Sequence, residues 1–236
     1  IFSESTYIKN REITDNTFQL YAEFGLTNKL TLIASIPIKS ISTGGIVNNT
    51  AAPLSITETS KTALGNLQIG LKHQLFNGKF VLSGQLNIEA NTSTFYNDSG
   101  IRTGYNAWTF TPTLNIGRGY TNYYYQAFSG VDIRTNNYSS NFKIGGEFGL
   151  TLIKNTTLIA FIDIVKSFKN GNVVLPVSSI ETALYINNQD YSAFGLKGLY
   201  NITDNYGFSL GLGGAISANN VAKQLAISAG FFYKLN

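Results

Sequence analysis

His73 is the single histidine of the sequence, and it is the first residue to consider as a general base. It lies in a run of alternating polar and apolar residues, on the apolar side, shortly before an Asn77-Gly78 turn. Neither a second histidine nor a recognisable nucleophile motif accompanies it, so a Ser–His hydrolase centre is not indicated. We predict that His73 is an interfacial structural residue and that the protein is not an enzyme.

Cofactor chemistry is not indicated either. The chain has no cysteine, which excludes a thiol nucleophile, a disulfide framework and a thiolate metal site. One histidine provides no cluster for zinc, and the sequence contains no phosphate-binding loop, dinucleotide fingerprint or Asp-rich calcium loop. We therefore predict no catalytic residue, no metal site and no cofactor.

The remaining candidates for function are charged or amide side chains on the polar faces of alternating segments. If those faces line a lumen, the side chains form either a path for solutes or a structural network that neutralises itself, and both interpretations stay open. Arg134 and Lys143 flank the 135–140 connection, where they either attract anions or are solvated charges at the base of the loop. The predicted lumen residues are Glu23, Lys72, Gln85, Glu89, Asp132, Arg134, Lys143, Glu147, Asp163 and Lys197.

The composition is that of a folded chain with little solubilising charge. Of 236 residues, 43% are hydrophobic and only 13% charged, about half the charge of an ordinary soluble domain. The 16 Phe and 14 Tyr exclude disorder, and no window approaches the ~18 apolar residues of a spanning helix. The net charge of +4 comes from scattered basic residues, so no nucleic-acid partner is predicted.

The dominant periodicity is two residues, which is typical of strands with one apolar and one polar face. In the 67–75 segment, for example, leucines and Ile69 alternate with polar side chains. The predicted strands are long, about 9–13 residues, as transmembrane strands require. We predict twelve of them, at 2–9, 17–26, 30–41, 66–76, 79–92, 107–118, 123–134, 141–153, 156–167, 190–202, 206–216 and 222–234.

The connections alternate between tight turns and long polar stretches. Turns such as Asn77-Gly78-Lys79 contrast with connections near 10–16, 42–65, 93–106, 135–140, 168–189 and 217–221. This alternation is typical of outer-membrane β-barrels, with short periplasmic turns and long extracellular loops. We therefore predict an all-β fold, a single antiparallel up-and-down barrel domain over residues 1–236. A soluble β-sandwich or lipocalin-like barrel is the alternative, and its apolar faces would be buried.

A membrane barrel implies particular surroundings. Outer-membrane lipid and lipopolysaccharide are the predicted partners, in a Gram-negative bacterium. The chain begins at Ile1 and has no Met, and we expect that a signal peptide was removed. Aromatic residues near the turns predict an interfacial girdle: Phe76, Phe80, Tyr120, Tyr123, Tyr125, Tyr200, Tyr206 and Tyr233. Trp108, Tyr105 and Phe95 are expected in the opposite girdle.

Three local features need separate predictions. Pro112 lies on an apolar strand face, where its missing donor predicts a local bulge. The 42–65 connection is expected to be merely mobile. The 168–189 connection is too apolar for free solvent, and Ser178 and Glu181 have capping-box spacing. A strand extension above the membrane is its simplest interpretation, while folding into the lumen or covering a partner protein are the alternatives.

One hairpin resembles a known family. The Leu20–Pro37 segment, LYAEFGLTNKLTLIASIP, resembles the hairpin EYGLTDRLTLGASLP of the MetA-pathway phenol-degradation family of outer-membrane proteins and its XagA-like relatives. Gly65–Lys72 is similar to that family's following strand, GDLQLGLKY. The match covers about 17–90, and the chain departs from it in ending Tyr233-Lys234-Leu235-Asn236, without a terminal aromatic residue. The resemblance implies an outer-membrane channel, in some members linked to uptake of hydrophobic or aromatic compounds.

We therefore expect a passive, porin-like channel for small solutes, hydrophobic or aromatic ones among them. The alternative is a non-conducting structural or accessory subunit that packs with other outer-membrane proteins. The mixed signs of the polar-face charges and the apolar 168–189 connection favour the subunit, whereas the barrel size and the resemblance favour the channel.

Overall fold

The computed structural model describes residues 12–47, 55–56, 58–221 and 223–235. The strands in chain order are β1 (Ile13–Gly25), β2 (Leu30–Thr43), β3 (Ile46–Val47), β4 (Ser55–Ile56), β5 (Thr59–Leu64), β6 (Gln68–Asn77), β7 (Val81–Glu89), β8 (Phe95–Tyr96), β9 (Ile101–Arg102), β10 (Thr109–Gly119), β11 (Tyr123–Arg134), β12 (Asn141–Ile153), β13 (Thr156–Ser167), β14 (Asp190–Asn201), β15 (Tyr206–Asn219) and β16 (Leu225–Tyr233). One turn of helix, α1, covers Val177–Ile180. Among these residues no helix is long and apolar enough to cross a membrane.

The long strands form one antiparallel sheet in the order β1-β2-β6-β7-β10-β11-β12-β13-β14-β15-β16. β5 also belongs to it, because it pairs with the second half of β2 while β6 pairs with the first half. At one edge β1 pairs only with β2, and at the other β16 pairs only with β15, within the described residues. The side chain of Gln224 nevertheless donates to the Ile13 carbonyl at 3.1 Å. The sheet therefore curls until its two edge strands approach each other, which makes a barrel.

The predicted strands agree with the sheet in type and order, and several boundaries differ. β1 begins at Ile13, so most of the 10–16 connection is strand. Part of the 42–65 connection, expected to be mobile, is β5, which extends the sheet against β2. The predicted strand at 2–9 lies outside the described residues.

Pro112 causes no bulge. Phe110 pairs with Ile133 and Thr113 with Gly130, so the register on either side of the proline is the same. The ladder between β10 and β11 skips two pairs there, which is where a proline removes a donor. The predicted bulge was wrong, because omitting these two residue pairs from the ladder is enough to accommodate the proline ring.

The 168–189 connection forms no strand, so the strand extension was wrong. The segment folds inward, and Ser178, Ser179 and Thr182 are buried. The predicted capping box is also absent: Pro176 precedes α1 without a side-chain cap, and the Ser178 hydroxyl donates to the Asn97 carbonyl instead. A long-range partner on another loop thus replaces the local one.

The apolar side chains face outward and the polar ones inward. Leu71 and Leu75 on β6 are about half exposed, and Leu20 on β1 and Leu114 on β10 behave alike. A water-soluble protein buries such residues, whereas an outer-membrane barrel exposes a wide apolar belt to the hydrocarbon of the bilayer. The soluble sandwich is therefore excluded by the direction in which the apolar face points.

The turn end of the barrel, where the short connections lie, carries clustered aromatic rings. Tyr120 stacks on Tyr123 with centroids 4.4 Å apart, and Phe76 contacts Phe80 at 5.0 Å. At the opposite, loop end Trp108 is exposed as expected. Tyr105 and Phe95 are not in a girdle: Tyr105 packs against Tyr138 inside the loops, and Phe95 lies under the Arg102 guanidinium. Residues in loops have no strand parity to reveal which way they point.

Candidate functional site: the lumen

The centre of the lumen is a cavity of about 540 Å³ between β11 and β16. The strand registers explain where it lies. One row across the wall runs Gln126, Glu147, Phe161, Gly195, Gly213 and Ala226, each residue paired with the next. Large or polar side chains on β11–β13 thus face small ones on β14–β16. The wall of small residues leaves the empty space.

Two aromatic rings and three charged groups project into this central cavity. They are Phe128, Phe161, Glu147, Asp163 and Lys197. Lys197 is the strand neighbour of Gly211 on β15 and of Ile159 on β13. It lies two residues closer to the turn end than the row that contains Phe161. Asp163, the strand neighbour of Gly145 on β12, lies two residues closer to the loop end than that row. The acid and the base therefore lie on either side of the Phe161 ring.

A second cavity, of about 400 Å³, lies at the turn end. Gln126 lines both cavities, so the two are adjacent. Lys72 and Gln85 line this turn-end cavity. Lys72 forms an ion pair with Glu23 at 3.1 Å, and the Glu23 carboxylate also accepts a hydrogen bond from Tyr21 at 2.5 Å. The polar faces therefore line a space that extends from the turn end to the middle of the barrel.

The loop end is filled. We call residues 93–106 together with 168–189 the plug. Its two parts are joined by hydrogen bonds from Ser178 to the Asn97 carbonyl and from the Thr182 hydroxyl to the Gly100 carbonyl, the latter 3.2 Å. Ile101 packs against Ile13 and Ile41 of the wall in a small buried apolar cluster. The loops thus fold back into the mouth and hold one another there.

Aromatic rings of the plug contact aromatic and cationic side chains of the wall and of the 135–140 connection. Tyr105 contacts Tyr138 and Tyr185, each with a centroid separation of 5.3 Å. Arg134 lies over the Tyr105 ring at 4.1 Å, and Lys39 over the Tyr185 ring at 5.5 Å. Burial raises the pKa of the Tyr105 and Tyr185 hydroxyls above the ordinary tyrosine value. Both phenols stay neutral at physiological pH.

Arg102 is the most enclosed cation of the plug. It is 4% exposed, and it donates to the Tyr138 hydroxyl while lying over the Phe95 ring at 4.9 Å. Its Nε and Nη1 have no hydrogen-bond partner among the residues that the structure describes. Two aromatic faces thus supply much of what a carboxylate supplies elsewhere.

The predicted lumen residues near the loop end form a compact network. Asp132 is bridged by Arg134 at 3.1 Å and by Lys143 at 3.5 Å. Arg134 is therefore paired, although one carboxylate shared by two cations leaves this cluster with a net positive charge. Its expected role in attracting anions stays a prediction. Elsewhere on the inward face Glu89 accepts a hydrogen bond from Asn66 at 2.8 Å, and Gln85, which lines the turn-end cavity, donates to Asn87 at 3.0 Å. A pore-lining role for the ten predicted residues stays a prediction.

His73 lies on the outward face of β6, between Leu71 and Leu75. Its neighbours across the sheet are Leu30 and Gly84. No side-chain hydrogen bond or ion pair joins it to a described residue. The arrangement provides neither a nucleophile nor an orienting carboxylate for the imidazole.

Several lumen residues were missing from the sequence-based candidates. Tyr124 donates to Glu147 at 2.6 Å, and Lys39 pairs with Asp15 at 2.7 Å. Phe128 and Phe161 share the inward parity of the charged residues. Strand parity indicates the inward direction of the two phenylalanines and of Tyr124, whereas Asp15 lay in a predicted connection and had no assigned parity.

Comparison with known proteins supports the fold. Residues 11–117 match the family model described as "Putative MetA-pathway of phenol degradation", the family that the Leu20–Pro37 hairpin resembles. An outer membrane channel from Pseudomonas putida F1 is 14% identical, with a TM-score of 0.64 over 94% of this chain and 83% of that one. The NanC porin is 8% identical, with a TM-score of 0.61 over 95% and 98%. No curated protein sequence matches. The predicted barrel fold is confirmed.

Proposed function

We propose that the protein is a passive channel for small solutes in the outer membrane of a Gram-negative bacterium. The observation that carries the proposal is the pair of adjacent cavities, both lined by Gln126, that occupy the lumen from the turn end to the centre. An apolar belt surrounds it, which is the surface that a bilayer requires. Two barrels of similar fold are described as an outer membrane channel and as a porin, which supports the same function here.

The proposed path is narrow. A barrel of about twelve strands lies between eight-stranded barrels filled by side chains and the open sixteen-stranded porins. The plug occupies the loop end and restricts passage there further. We therefore assign small solutes, including hydrophobic or aromatic ones, and no enzymatic step.

Liposome swelling with neutral sugars of increasing size tests this proposal. Swelling with the smallest sugars and none with disaccharides is the expected result for a narrow pore. If vesicles that contain correctly folded barrel do not swell with any solute, while ions also fail to pass, the channel assignment is wrong. Heat-modifiable migration on gels provides the folding control.

A structural subunit is the second candidate, and one observation favours it. The outer side of the plug exposes apolar side chains: Val174 is 93% exposed, Val177 59% and Ile180 46%. Partner proteins commonly cover such patches. Stable co-purification with another outer-membrane protein, lost in Val174→Ser/Val177→Ser, would support this function. A solitary barrel at native abundance would exclude it.

A further inference from the structure

The central cavity differs from the rest of the lumen in leaving charges of both signs unpaired. Glu147, Asp163 and Lys197 all line it, and none of them forms an ion pair within the described residues. Toward the turn end Lys72 is paired with Glu23. Toward the loop end Asp132 is paired with two cations. Ion pairs thus occur on both sides of the cavity, and none forms inside it among the described residues.

The side chains in the cavity are held in place by glycines. A Cβ atom on Gly145 would lie 2.5 Å from Asp163 Oδ1 and 2.7 Å from Phe128 Cε1. A Cβ atom on Gly195 would lie 2.5 Å from Phe161 Cζ. These contacts are possible only because neither position has a side chain. The acid and both rings therefore rest against the wall instead of moving freely in the lumen.

We propose that the central cavity binds zwitterionic solutes that carry an apolar group, such as free amino acids with aromatic or large aliphatic side chains. The inference rests on the proposed channel function only for the access of the solute. The ammonium group would contact Asp163 and Glu147, and the carboxylate would contact Lys197. The apolar group would lie against Phe128 and Phe161.

Size and electrostatics agree with this class of ligand. The volume of about 540 Å³ is in the range of small-molecule sites, about 300–1,000 Å³. A simple anion satisfies only Lys197 and is repelled by the two acids, and a simple cation satisfies the acids but leaves Lys197 without a partner. A zwitterion satisfies both signs at once. Charge complementarity of this kind selects among ligands of equal size.

Three probes of similar size separate these contributions: L-phenylalanine, phenylacetate and phenethylamine. They share the phenyl ring, and the second and third lack the ammonium and the carboxylate respectively. We expect isothermal titration of the refolded protein in detergent micelles to show that L-phenylalanine binds about tenfold more tightly than either of the others. This comparison uses the unmodified protein and requires no substitution.

Two variants then assign the contacts. In Lys197→Gln, L-phenylalanine should lose its advantage over phenethylamine. In Glu147→Gln/Asp163→Asn it should lose its advantage over phenylacetate. Lys72→Gln removes an equal charge from the turn-end cavity and is the matched control, so the preference should persist in it.

Equal affinities for the three probes in the unmodified protein would overturn the inference, and so would an equal loss of preference in Lys72→Gln and Lys197→Gln. Micelle titration does not depend on conduction. A preference for L-phenylalanine in a barrel that conducts nothing would therefore support the binding site while refuting the channel. Conduction without that preference would refute the binding site alone.

Discussion

The loop end and the centre of the barrel accommodate enclosed charged and aromatic side chains in opposite ways. Both regions are enclosed by the same curled sheet, and both contain charged and aromatic side chains. At the loop end Arg134 is paired with Asp132, and Tyr105 contacts Tyr138 edge to face. In the centre Lys197 and Asp163 are unpaired around an open cavity. Residue types alone therefore do not determine whether a part of the lumen is filled.

The difference lies in what faces the charges. At the loop end the plug fills the lumen and supplies partners from loops distant in sequence. In the centre the opposite wall consists of small residues, such as Gly195, Gly213 and Ala226, that supply none. The barrel thus keeps its mouth rigid and its middle hollow. Four predictions test this contrast, from the largest expected effect to the smallest.

Gly195→Ala should damage the centre most. The added Cβ would lie 2.5 Å from the Leu212 carbonyl oxygen, which is backbone and cannot move aside cheaply. We expect a loss of about 2 kcal/mol in the free energy of unfolding, as in other overpacked sites. Urea titration of the refolded barrel, followed by Trp108 fluorescence, measures it.

Gly198→Ala is the matched control for this variant. It lies on the same strand, β14, and has no atom within 4 Å of the added Cβ. We expect a change of less than about 0.5 kcal/mol. Equal losses in the two variants would mean that strand propensity rather than the close approach limits position 195.

Thr182→Val should loosen the mouth without affecting the centre. Thr182 is completely buried, and its hydroxyl donates to Ser179 and Gly100 carbonyls and accepts from the Leu184 amide. Leaving these groups unpartnered costs about 1–2 kcal/mol. Hydrogen exchange should accelerate at 178–186 and stay unchanged in β12–β14. Val177→Thr, at an exposed position of the same segment, should change neither region.

Alkaline pH should have the next largest effect, which is to destabilise the plug. Burial raises the pKa of Tyr105 above its value in the unfolded chain, so the neutral form that the plug needs is fully stable below about pH 10. Each pH unit above that favours the unfolded state by up to about 1 kcal/mol. Hydrogen exchange at 93–106 should therefore rise above pH 10, and less so in Tyr105→Phe. An identical rise in both proteins would show that Tyr105 is not responsible.

Lys72→Gln should have the smallest effect. The Lys72–Glu23 pair is at the turn end, and both side chains are about one-third exposed. Such pairs contribute less than about 1 kcal/mol, and the contribution should vanish in 1 M salt because of screening. The urea midpoints of the variant and of the unmodified protein, compared at low and at high salt, measure this contribution. A loss above 2 kcal/mol would mean that the turn end is as tightly packed as the mouth.

The barrel wall was predictable because its two-residue period survives in nearly every strand. A lumen charge such as Glu147 shares its parity with its neighbours, so its direction could be derived from the sequence alone. The plug could not be predicted, since Ser178 and Thr182 find their partners some eighty residues away. The positive φ angles of Ala183 and Tyr185 likewise follow from that docking and from no local signal.

Single-channel conductance in planar bilayers tests the central claim most directly. The unmodified protein should give discrete steps, and Glu147→Lys should shift the ion selectivity toward anions, because it reverses a charge in the central cavity. Asp204→Lys makes the same change in an exposed turn and should leave selectivity near its original value. A silent bilayer with a correctly folded barrel would contradict the account, and so would an equal shift of selectivity in both variants.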